Sequence, residues 1–304
     1  MNPAIDKNTT VEQVQPDVKL RCGPPSREPG GGGINVARVV QRLGGAPTAY
    51  FVGGGPTADI LEHLLHTEDV PCERIPSEGW TRENIIVFEE QSGQQFRFGM
   101  PGPEVSEDEW HAVLDVLRGI DPSPAYLVAS GSLPPGAPDD FYARVAQVAR
   151  ETDVRLVVDT SGDALRQAVE AGVFLIKPNV GELQTLADAP LTHEAQQEAF
   201  ARTLIDRGGC EGVVLSLGAG GALLVTAADT RHVRTPTVPI RSKVGAGDSM
   251  VGGIVVALAR GMALPDAVRF GVAAGAAAVM TEGTELCRRE DVESLVERMR
   301  SSSA

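Results

Sequence analysis

Short apolar runs recur along the second half of the chain and are separated by longer amphipathic segments. Runs of this kind are typical of strands that are buried on both faces of a parallel sheet. They occupy 125–130, 154–160, 173–179 and 212–218. The segments between them, such as 138–150 and 192–207, have helical spacing. This alternation predicts a doubly wound α/β fold, in which a parallel sheet lies between layers of helices.

The last third of the chain is predicted to be helical, over 246–260, 264–281 and 288–300. The middle segment is rich in glycine and alanine. We therefore expect it to allow close packing of helix backbones rather than to supply chemical groups.

The first third has a different pattern, in which apolar and polar residues alternate with period two. The alternation covers 11–23, 84–91 and 94–99, and a short turn, QSGQ, joins the last two segments. It is typical of antiparallel strands with one exposed face. We predict a small β appendage, formed by about 9–24 and 82–100, that serves as a lid or as a dimer surface.

Composition limits the class of partner. The chain has 304 residues, of which 42% are hydrophobic, so one large folded unit is expected. Its 41 acidic and 27 basic residues give a net charge of −14, which argues against nucleic acids and membrane surfaces as partners. No apolar leader or membrane-length span is visible, and the four cysteines are widely spaced. The sequence predicts a cytoplasmic protein with free thiols.

Four glycines at 30–33 precede a predicted helix. A dinucleotide-binding fingerprint fails here, because Val36 stands where the third glycine is required and because a Pro-rich stretch precedes the glycines where a strand is required. No P-loop sequence is present either. We interpret the segment as a loop whose backbone amides face a small polar ligand. Asn35 either hydrogen-bonds that ligand or is a polar residue at a helix start.

The sequence KPNVGEL, at 177–183, places Asn179 three residues before Glu182. The local pattern favours a capping box, in which each side chain accepts a hydrogen bond from the backbone of the other residue. The same pair also suits a hydrated Mg²⁺ ion, which prefers carboxylate and water oxygens. Both interpretations stay open at this point.

Several polar or small residues follow the predicted strands directly. They are Ser132, Lys177, Asn179, Ser216 and Gly218. Ligands of open α/β sheets bind at the carboxyl ends of the strands, so this shared location favours a functional role for each residue. The stretch SLGAGGALL, at 216–224, predicts either a β-hairpin or one wall of a nucleotide site.

The stretch KVGAGDSMVGG, at 243–253, places Asp248 among glycines at the start of an apolar helix. Asp248 either marks the helix start by complementing the helix dipole or acts as a base beside an anion-binding pocket. The amides of Ala246, Gly247 and Asp248 would stabilise charge that develops on a phosphoryl group. Positioning and charge stabilisation are most of what phosphoryl transfer requires.

Taken together, these motifs resemble the phosphofructokinase-B family of ribokinase-like sugar kinases. The resemblance covers nearly the whole chain and rests on seven motifs in the family's order. They are NPAID (2–6), GGGGINVAR (30–38), WTREN (80–84), GSLPPG (131–136), KPNVGE (177–182), SLGAGGA (216–222) and VGAGDSMVGG (244–253). The resemblance implies a three-layer α/β/α sandwich with a mainly parallel central sheet, one kinase domain over 1–304 and a small β lid.

The resemblance also implies a role for each matching residue. Asp248 is expected to deprotonate the sugar hydroxyl, with the anion hole at Gly245, Ala246 and Gly247. The expected sugar-phosphate ligands are Asp6, Gly30, Gly31, Asn35 and Ser132, with Arg82, Lys19 and Arg21 at the phosphate. The expected ATP ligands are Lys177, Asn179, Ser216, Gly218, Gly221 and Lys243, and Glu182 with Asn179 is expected to hold Mg²⁺ through water. A monovalent cation and a homodimer clasped through the lids are also implied.

The implied reaction is transfer of the ATP γ-phosphoryl group to the 1-hydroxyl of fructose 6-phosphate. Relatives that act on fructose 1-phosphate or tagatose 6-phosphate usually have lysine where this chain has Gly32. A 1-phosphofructokinase or tagatose-6-phosphate kinase is the alternative enzyme, and a catalytically silent sugar-phosphate-binding protein is the alternative of another class.

The chain departs from the family's pattern at two places. Relatives begin with an apolar strand just before NPAID, and here Met1 stands at that point. We expect the loss of a central strand to leave backbone groups of its neighbours unpaired and to destabilise the fold or misplace Asp6. At the position of Lys243 relatives often have a small polar residue. The Lys243 side chain contacts ATP, a neighbouring acid or nothing, and all three alternatives stay open.

Overall fold

The computed structural model describes residues 1–301 and contains twelve strands and ten α-helices in that range. The strands are β1 (Ala4–Val11), β2 (Ser26–Gly30), β3 (Ala49–Gly53), β4 (Cys72–Pro76), β5 (Arg82–Glu89), β6 (Gln95–Phe98), β7 (Tyr126–Ser130), β8 (Arg155–Asp159), β9 (Val173–Ile176), β10 (Cys210–Ser216), β11 (Ala222–Thr226) and β12 (Thr230–Val233). The helices are α1 (Gly32–Arg42), α2 (Gly55–Thr67), α3 (Glu107–Arg118), α4 (Phe141–Glu151), α5 (Gly162–Ala171), α6 (Val180–Ala187), α7 (Glu194–Asp206), α8 (Ala246–Ala259), α9 (Leu264–Ala278) and α10 (Arg289–Ser301). None of these helices is both long and apolar enough to cross a membrane.

The largest sheet has six strands in the order β12-β11-β10-β9-β8-β7. Its strands β7, β8, β9 and β10 are parallel neighbours, and β11 and β12 continue the sheet as antiparallel hairpins. The four parallel strands coincide with the four apolar runs, so the prediction of a buried parallel sheet is confirmed.

Helices cover this sheet on both faces, and two separate hydrophobic cores result. Consecutive strand residues point to opposite faces, so Val157 lies in the core beneath α1, α8, α9 and α10, while Val158 lies in the core beneath α3 to α7. Leu175 and Ile176 divide in the same way. The expected three-layer α/β/α arrangement is confirmed.

Helices α8 and α9 pack with their backbones in close approach. A β-carbon on Gly253 would lie 3.0 Å from the Cα of Gly271, and one on Gly271 would lie 2.7 Å from the carbonyl oxygen of Met250. Side chains at these positions would force the helices apart. The small residues of α9 therefore serve packing, as expected, and they anchor the helix whose first turn carries Asp248.

A four-stranded sheet forms the lid region, in the order β2-β1-β5-β6. The antiparallel pairing of β5 with β6 confirms that part of the prediction. The predicted strand at 11–23 is wrong: apart from the end of β1 at Val11, this stretch has no strand. Pro16 cannot donate a ladder hydrogen bond, and Asp17 has a φ of 60°, so the alternation occurs in a loop.

The lid strands that pair instead are β1 and β2, and sequence reasoning missed both. The stretch before the glycines, interpreted above as not strand-like, forms β2, which is antiparallel to β1. Pro29 is tolerated there because β2 lies at the edge of its sheet. The dinucleotide fingerprint still fails at Val36. The lid is therefore formed by 4–11, 26–30, 82–89 and 95–98 rather than by 9–24 and 82–100.

Strands β3 and β4 form a separate two-stranded parallel sheet. No strand within residues 1–301 lies between this pair and β7, whose only strand partner is β8. Helix α1 contacts both β3 and β7, so it joins the two sheets. The predicted effect of a missing first strand, namely a destabilised fold or a misplaced Asp6, stays a prediction.

Candidate active site

The predicted site residues converge at the carboxyl ends of the parallel strands. Asp159 ends β8, Lys177 follows β9, and Ser216 ends β10. An isolated parallel bridge joins Asn179 to Ser216, and the amide of Ser216 donates to the carbonyl oxygen of Pro178 at 2.8 Å. Parallel strands end at the same edge of a sheet, which is why residues far apart in sequence meet here.

The N-terminus of α8 is open. Gly245, its N-cap, has a φ of 71°, a left-handed conformation that favours glycine, and it makes no side-chain capping bond. Within residues 1–301 no acceptor binds the amides of Ala246, Gly247 or Asp248. These free donors and the helix dipole form a site suited to a negatively charged group.

Asp248 lies in the first turn of α8 and is half-buried. Its Oδ2 accepts a hydrogen bond of 2.8 Å from Nδ2 of Asn35, near the start of α1. Burial raises the pKa of Asp248 from 3.8 to about 6, and the negative charges of Asp159 and Asp6 act in the same direction. The hydrogen bond from Asn35 and the charge of Lys177 oppose this rise. A carboxylate with such a pKa is ionised at neutral pH and is a stronger base than an exposed aspartate.

Lys177 forms a buried ion pair beneath this helix end. Its Nζ lies 3.0 Å from Oδ1 of Asp159, and the two side chains are 7% and 14% exposed. The same Nζ lies 3.6 Å from the position that a β-carbon on Gly247 would occupy. The structure therefore places Lys177 against the open end of α8, and sequence reasoning missed its partner Asp159, although that residue ends one of the predicted strands.

Asn179 and Glu182 form the capping box that the local pattern favoured. The amide of Glu182 donates to Oδ1 of Asn179 at 2.9 Å, and the amide of Asn179 donates to Oε2 of Glu182 at 2.8 Å. One oxygen of each side chain is therefore used within α6. The capping interpretation is confirmed, and the role of the pair towards Mg²⁺ stays a prediction.

The glycine run brings the start of α1 close to β1. A β-carbon on Gly30 would lie 2.7 Å from the carboxylate of Asp6, so any larger residue would displace that group. Asp6 accepts a hydrogen bond of 2.8 Å from Nδ2 of Asn84 on β5. Gly31 is the N-cap of α1 and, like Gly245, offers no capping side chain.

The residues expected at the sugar phosphate are only partly brought together. Arg82 donates to the carbonyl oxygens of Asn2 and Met100, at 3.1 and 2.9 Å, beside the start of β1. Burial lowers the pKa of Arg82, while the nearby charge of Asp6 raises it. Lys19 and Arg21 are exposed on the loop between β1 and β2, and no hydrogen bond or ion pair within residues 1–301 joins them to Arg82.

The remaining predicted residues lie around the same edge. Ser132 accepts a hydrogen bond of 3.1 Å from Nδ2 of Asn2. Gly218 and Gly221 lie in the turn between β10 and β11, which form the predicted hairpin. Lys243 is exposed in the loop before α8 and makes no contact with an acid within residues 1–301.

Comparison with known proteins identifies the family. The model of the pfkB family carbohydrate kinases matches residues 1–291. The chain belongs to the pfkB family. It is 48% identical over 301 residues to the ATP-dependent 6-phosphofructokinase isozyme 2 of Mycobacterium tuberculosis, covering 98% of this chain and 87% of that protein. It is 43% identical to the protein of the same name from Escherichia coli, covering 96% and 95%, and 30% identical to a 1-phosphofructokinase of Bacillus subtilis, covering 94% and 93%.

Solved structures of phosphofructokinase-2 from E. coli match this member of the pfkB family over 99% of its length and 97% of theirs. The complex with potassium matches with a TM-score of 0.95 at 42% identity, and the complex with fructose 6-phosphate with a TM-score of 0.93 at 41% identity. The tetrameric inhibited form matches with a TM-score of 0.94 at 41% identity. The ribokinase-like fold expected from the sequence is confirmed.

Proposed function

We propose that this chain is an ATP-dependent 6-phosphofructokinase, which transfers the γ-phosphoryl group of ATP to the 1-hydroxyl of fructose 6-phosphate. The observation that carries the proposal is Asp248 at the open N-terminus of α8, held by Asn35. Two further findings support it: the relatives that are 48% and 43% identical bear this name, and one matching structure is a complex with fructose 6-phosphate.

In the proposed reaction, Asp248 takes the proton of the 1-hydroxyl as the oxygen attacks the γ-phosphorus. The amides of Gly245, Ala246 and Gly247 then face the charge that develops on the transferred group. Lys177 contributes positive charge beside the same helix end, at the position given by its ion pair with Asp159. The products are ADP and fructose 1,6-bisphosphate, and the proton of the 1-hydroxyl is transferred to Asp248.

The sugar phosphate is proposed to lie between the lid and the start of α1. Asp6, Gly30, Gly31, Asn35 and Ser132 would orient its hydroxyl groups. Arg82, with Lys19 and Arg21 from the exposed loop, would bind its phosphate, because a guanidinium matches phosphate geometry. Lys19 and Arg21 are both exposed, so they are accessible to a ligand.

ATP is proposed to lie along the β10–β11 hairpin. Ser216, Gly218 and Gly221 would line the nucleotide, and Asn179 and Lys243 would approach its phosphates. The space where a side chain of Gly218 would project is open to 4 Å, which suits a ligand lying against the backbone.

The residues present fit Mg²⁺ held mainly by substrate. Within residues 1–301 no three acidic, histidine or cysteine side chains converge as a metal site. Mg²⁺ in kinases is typically bound by one or two protein oxygens, by water and by phosphates, and the capping box uses Oε2 of Glu182 rather than Oε1. Glu182 and Asn179 would hold the ion through water. The bound ion would neutralise phosphate charge.

A monovalent cation is also proposed, since one matching structure contains potassium. The loop before α8 and the end of α9 meet beside the anion site: the amide of Arg241 donates to the carbonyl of Val279 at 2.8 Å, and Oγ of Ser242 donates to the carbonyl of Gly283 at 2.6 Å. Backbone carbonyls are the ligands that K⁺ prefers, so this junction carries oxygens of the right kind.

A homodimer through the lid sheets is the proposed assembly, in the cytoplasm. Ile85 and Phe98 are directly opposite each other in the β5–β6 pairing and are 37% and 48% exposed, so they form an apolar pair that a second lid would cover. A matching structure of the E. coli relative is tetrameric, so larger assemblies are among the outcomes of a mass measurement.

Release of ADP from MgATP tests the reaction, with fructose 6-phosphate, fructose 1-phosphate and tagatose 6-phosphate supplied separately. We expect the highest kcat/KM with fructose 6-phosphate. A preference for fructose 1-phosphate would favour the alternative enzyme, a 1-phosphofructokinase, which is the name of the B. subtilis relative. A rise in Tm with fructose 6-phosphate and MgATP but no ADP release would instead indicate a silent binding protein.

A further inference from the structure

Arg38 is a buried cation next to the site. It ends the GGGGINVAR motif, but neither the sequence analysis nor the proposed reaction gives it a role. It lies on α1, three residues after Asn35, and its side chain is 2% exposed. Its guanidinium donates through Nη1 to the carbonyl of Pro29 at 2.8 Å and to Oδ1 of Asn35 at 3.3 Å. A buried guanidinium with these partners has one fixed orientation.

The ion pairs of Arg38 come from elements outside the site. Its Nε lies 3.0 Å from both carboxylate oxygens of Glu68, at the end of α2, and its Nη2 lies 3.4 Å from Oε2 of Glu28 on β2. Burial alone would raise the pKa of Glu68, but hydrogen bonds and charge from Arg38 and Arg42 lower it overall. Arg38 is therefore held by carboxylates that lie outside the proposed substrate site.

This arrangement decides which end of the Asn35 carboxamide faces the carboxylate of Asp248. A guanidinium can only donate hydrogen bonds, so it binds the oxygen of an amide and never its NH₂ group. With Oδ1 held by Arg38, Nδ2 is directed to Oδ2 of Asp248, at 2.8 Å. The reversed amide would place an oxygen against the carboxylate and would leave that carboxylate without its donor.

We propose that Arg38 is a positioning residue for phosphoryl transfer: it holds the Asn35 amide in the orientation that fixes the carboxylate of Asp248 at the open end of α8. This inference rests on the proposed role of Asp248 as the base. Arg38 touches neither substrate nor the reacting atoms; it acts through Asn35.

The charged groups around Asp248 determine how the loss of Arg38 would change the pKa of Asp248 and so the pH–rate profile. Asp6 faces it from β1, Asp159 from β8 and Lys177 from the segment after β9, and only Lys177 and the Asn35 hydrogen bond favour the ionised form. Loss of the Asn35 donor therefore raises the pKa of Asp248. The acid limb of the pH–rate profile should move to higher pH, whereas a purely structural role of Arg38 would lower Tm and leave that limb unchanged.

The test compares Arg38→Met and Arg38→Lys with Arg42→Met as the matched control. Arg42 binds the same Glu68, at 3.1 Å, but makes no contact with Asn35. We expect Arg38→Met to lower kcat at least tenfold, with a small change in KM for MgATP, and to shift the acid limb upward. Arg42→Met should keep the wild-type kcat and the wild-type acid limb of the pH–rate profile. Ionisation of the substrate phosphate affects all variants equally and cancels in the comparison.

Arg38→Lys keeps the test valid if Arg38→Met fails to fold. The lysine ammonium can still pair with Glu68, but it lacks the several fixed donors with which a guanidinium binds Glu68 and Asn35 together. We therefore expect kcat to fall at least fivefold, with the same shift of the acid limb of the pH–rate profile. Wild-type kcat and limb in Arg38→Lys, with a lowered Tm, would overturn the proposal. Asp248→Asn distinguishes failure of the proposed base from failure of the positioning role. If Asp248→Asn stays active, Asp248 is not the base. If it is inactive while both Arg38 variants behave as wild type, only the positioning role of Arg38 fails.

Discussion

Two helices begin at the same edge of the sheet, and their first turns are built in opposite ways. Helix α6 is closed by its own side chains, because Asn179 and Glu182 satisfy each other's backbone amides. Helix α8 begins at a left-handed Gly245 that has no side chain to offer, and the amides of its first turn have no acceptor within residues 1–301.

The difference shows why a lone acid stands among glycines at 245–248. A side-chain cap typically stabilises a helix by about 1 kcal/mol, and α8 forgoes this contribution. Asp248 does not replace the cap, since its carboxylate binds Asn35 rather than an amide of its own helix. One helix end therefore serves the fold, while the other leaves donors and a carboxylate free for a ligand.

The largest expected effect concerns the ion pair beneath the open end. Lys177→Met should lower the free energy of unfolding by about 3–5 kcal/mol, because it leaves the buried carboxylate of Asp159 unpaired. Urea unfolding measures the change. Arg74→Met is the control: it breaks a surface pair with Asp59, in which the partners are 30% and 69% exposed, and should cost about 0–1 kcal/mol. Equal losses in the two variants would show that the Lys177 pair is no more than a surface contact.

The next largest effect is a gain in the free energy of unfolding, and it concerns Asp248→Asn. The pKa of Asp248 is raised from 3.8 to about 6, so the folded protein binds its proton more tightly than the unfolded chain does. The resulting loss of stability grows as pH rises from about 4 to 6 and is complete above pH 6. Asp248→Asn should therefore increase the free energy of unfolding at pH 7.5, by up to about 3 kcal/mol, with no gain near pH 4.

Urea unfolding of Asp248→Asn and the wild-type protein at the two pH values measures this difference. A variant that is less stable than wild type at pH 7.5 would show that the carboxylate contributes to the fold, as a structural helix start would. A gain at pH 7.5 supports an acid retained in spite of its effect on stability.

The smallest effect separates capping from ligand binding at the closed helix end. Ser106 and Glu109 form an equivalent capping box on α3, away from the predicted site residues. Asn179→Ala and Ser106→Ala should each lower the free energy of unfolding by about 1 kcal/mol. Only Asn179→Ala should also raise KM for MgATP. The same KM in both variants would mean that the α6 box is a cap alone.

Sequence patterns predicted the body of the protein better than its lid. The apolar runs at 154–160 and 173–179 favour buried strands, because each is short, contains β-branched residues and is flanked by segments with helical spacing. In the lid, alternation at 11–23 occurs in a loop, and the strand β1 was missed because its polar residues, such as Asp6 and Asn8, bind Asn84 and Thr284 across the fold. Those partners are distant in sequence.

The candidate site likewise contains residues that the sequence predicted and residues that it missed. Asp248 and Asn35 lie in glycine-rich motifs that mark a ligand by their backbone requirements. Asp159 and Arg38 act through partners that only the fold brings close, namely Lys177 and Glu68. A signal for Asp159 was present, as it ends a predicted strand; for Glu68, at the end of a surface helix, there was none.

The most direct test of the account is ADP release by Asp248→Asn at saturating MgATP and fructose 6-phosphate, with binding of the sugar phosphate measured on the same sample. A general base contributes about 10²–10⁴-fold to a rate, so we predict that kcat falls by at least 100-fold while Kd for fructose 6-phosphate stays within about threefold of wild type. A variant that binds the sugar and turns over within tenfold of wild type would contradict the account, because the carboxylate at the open end of α8 would then not be the base.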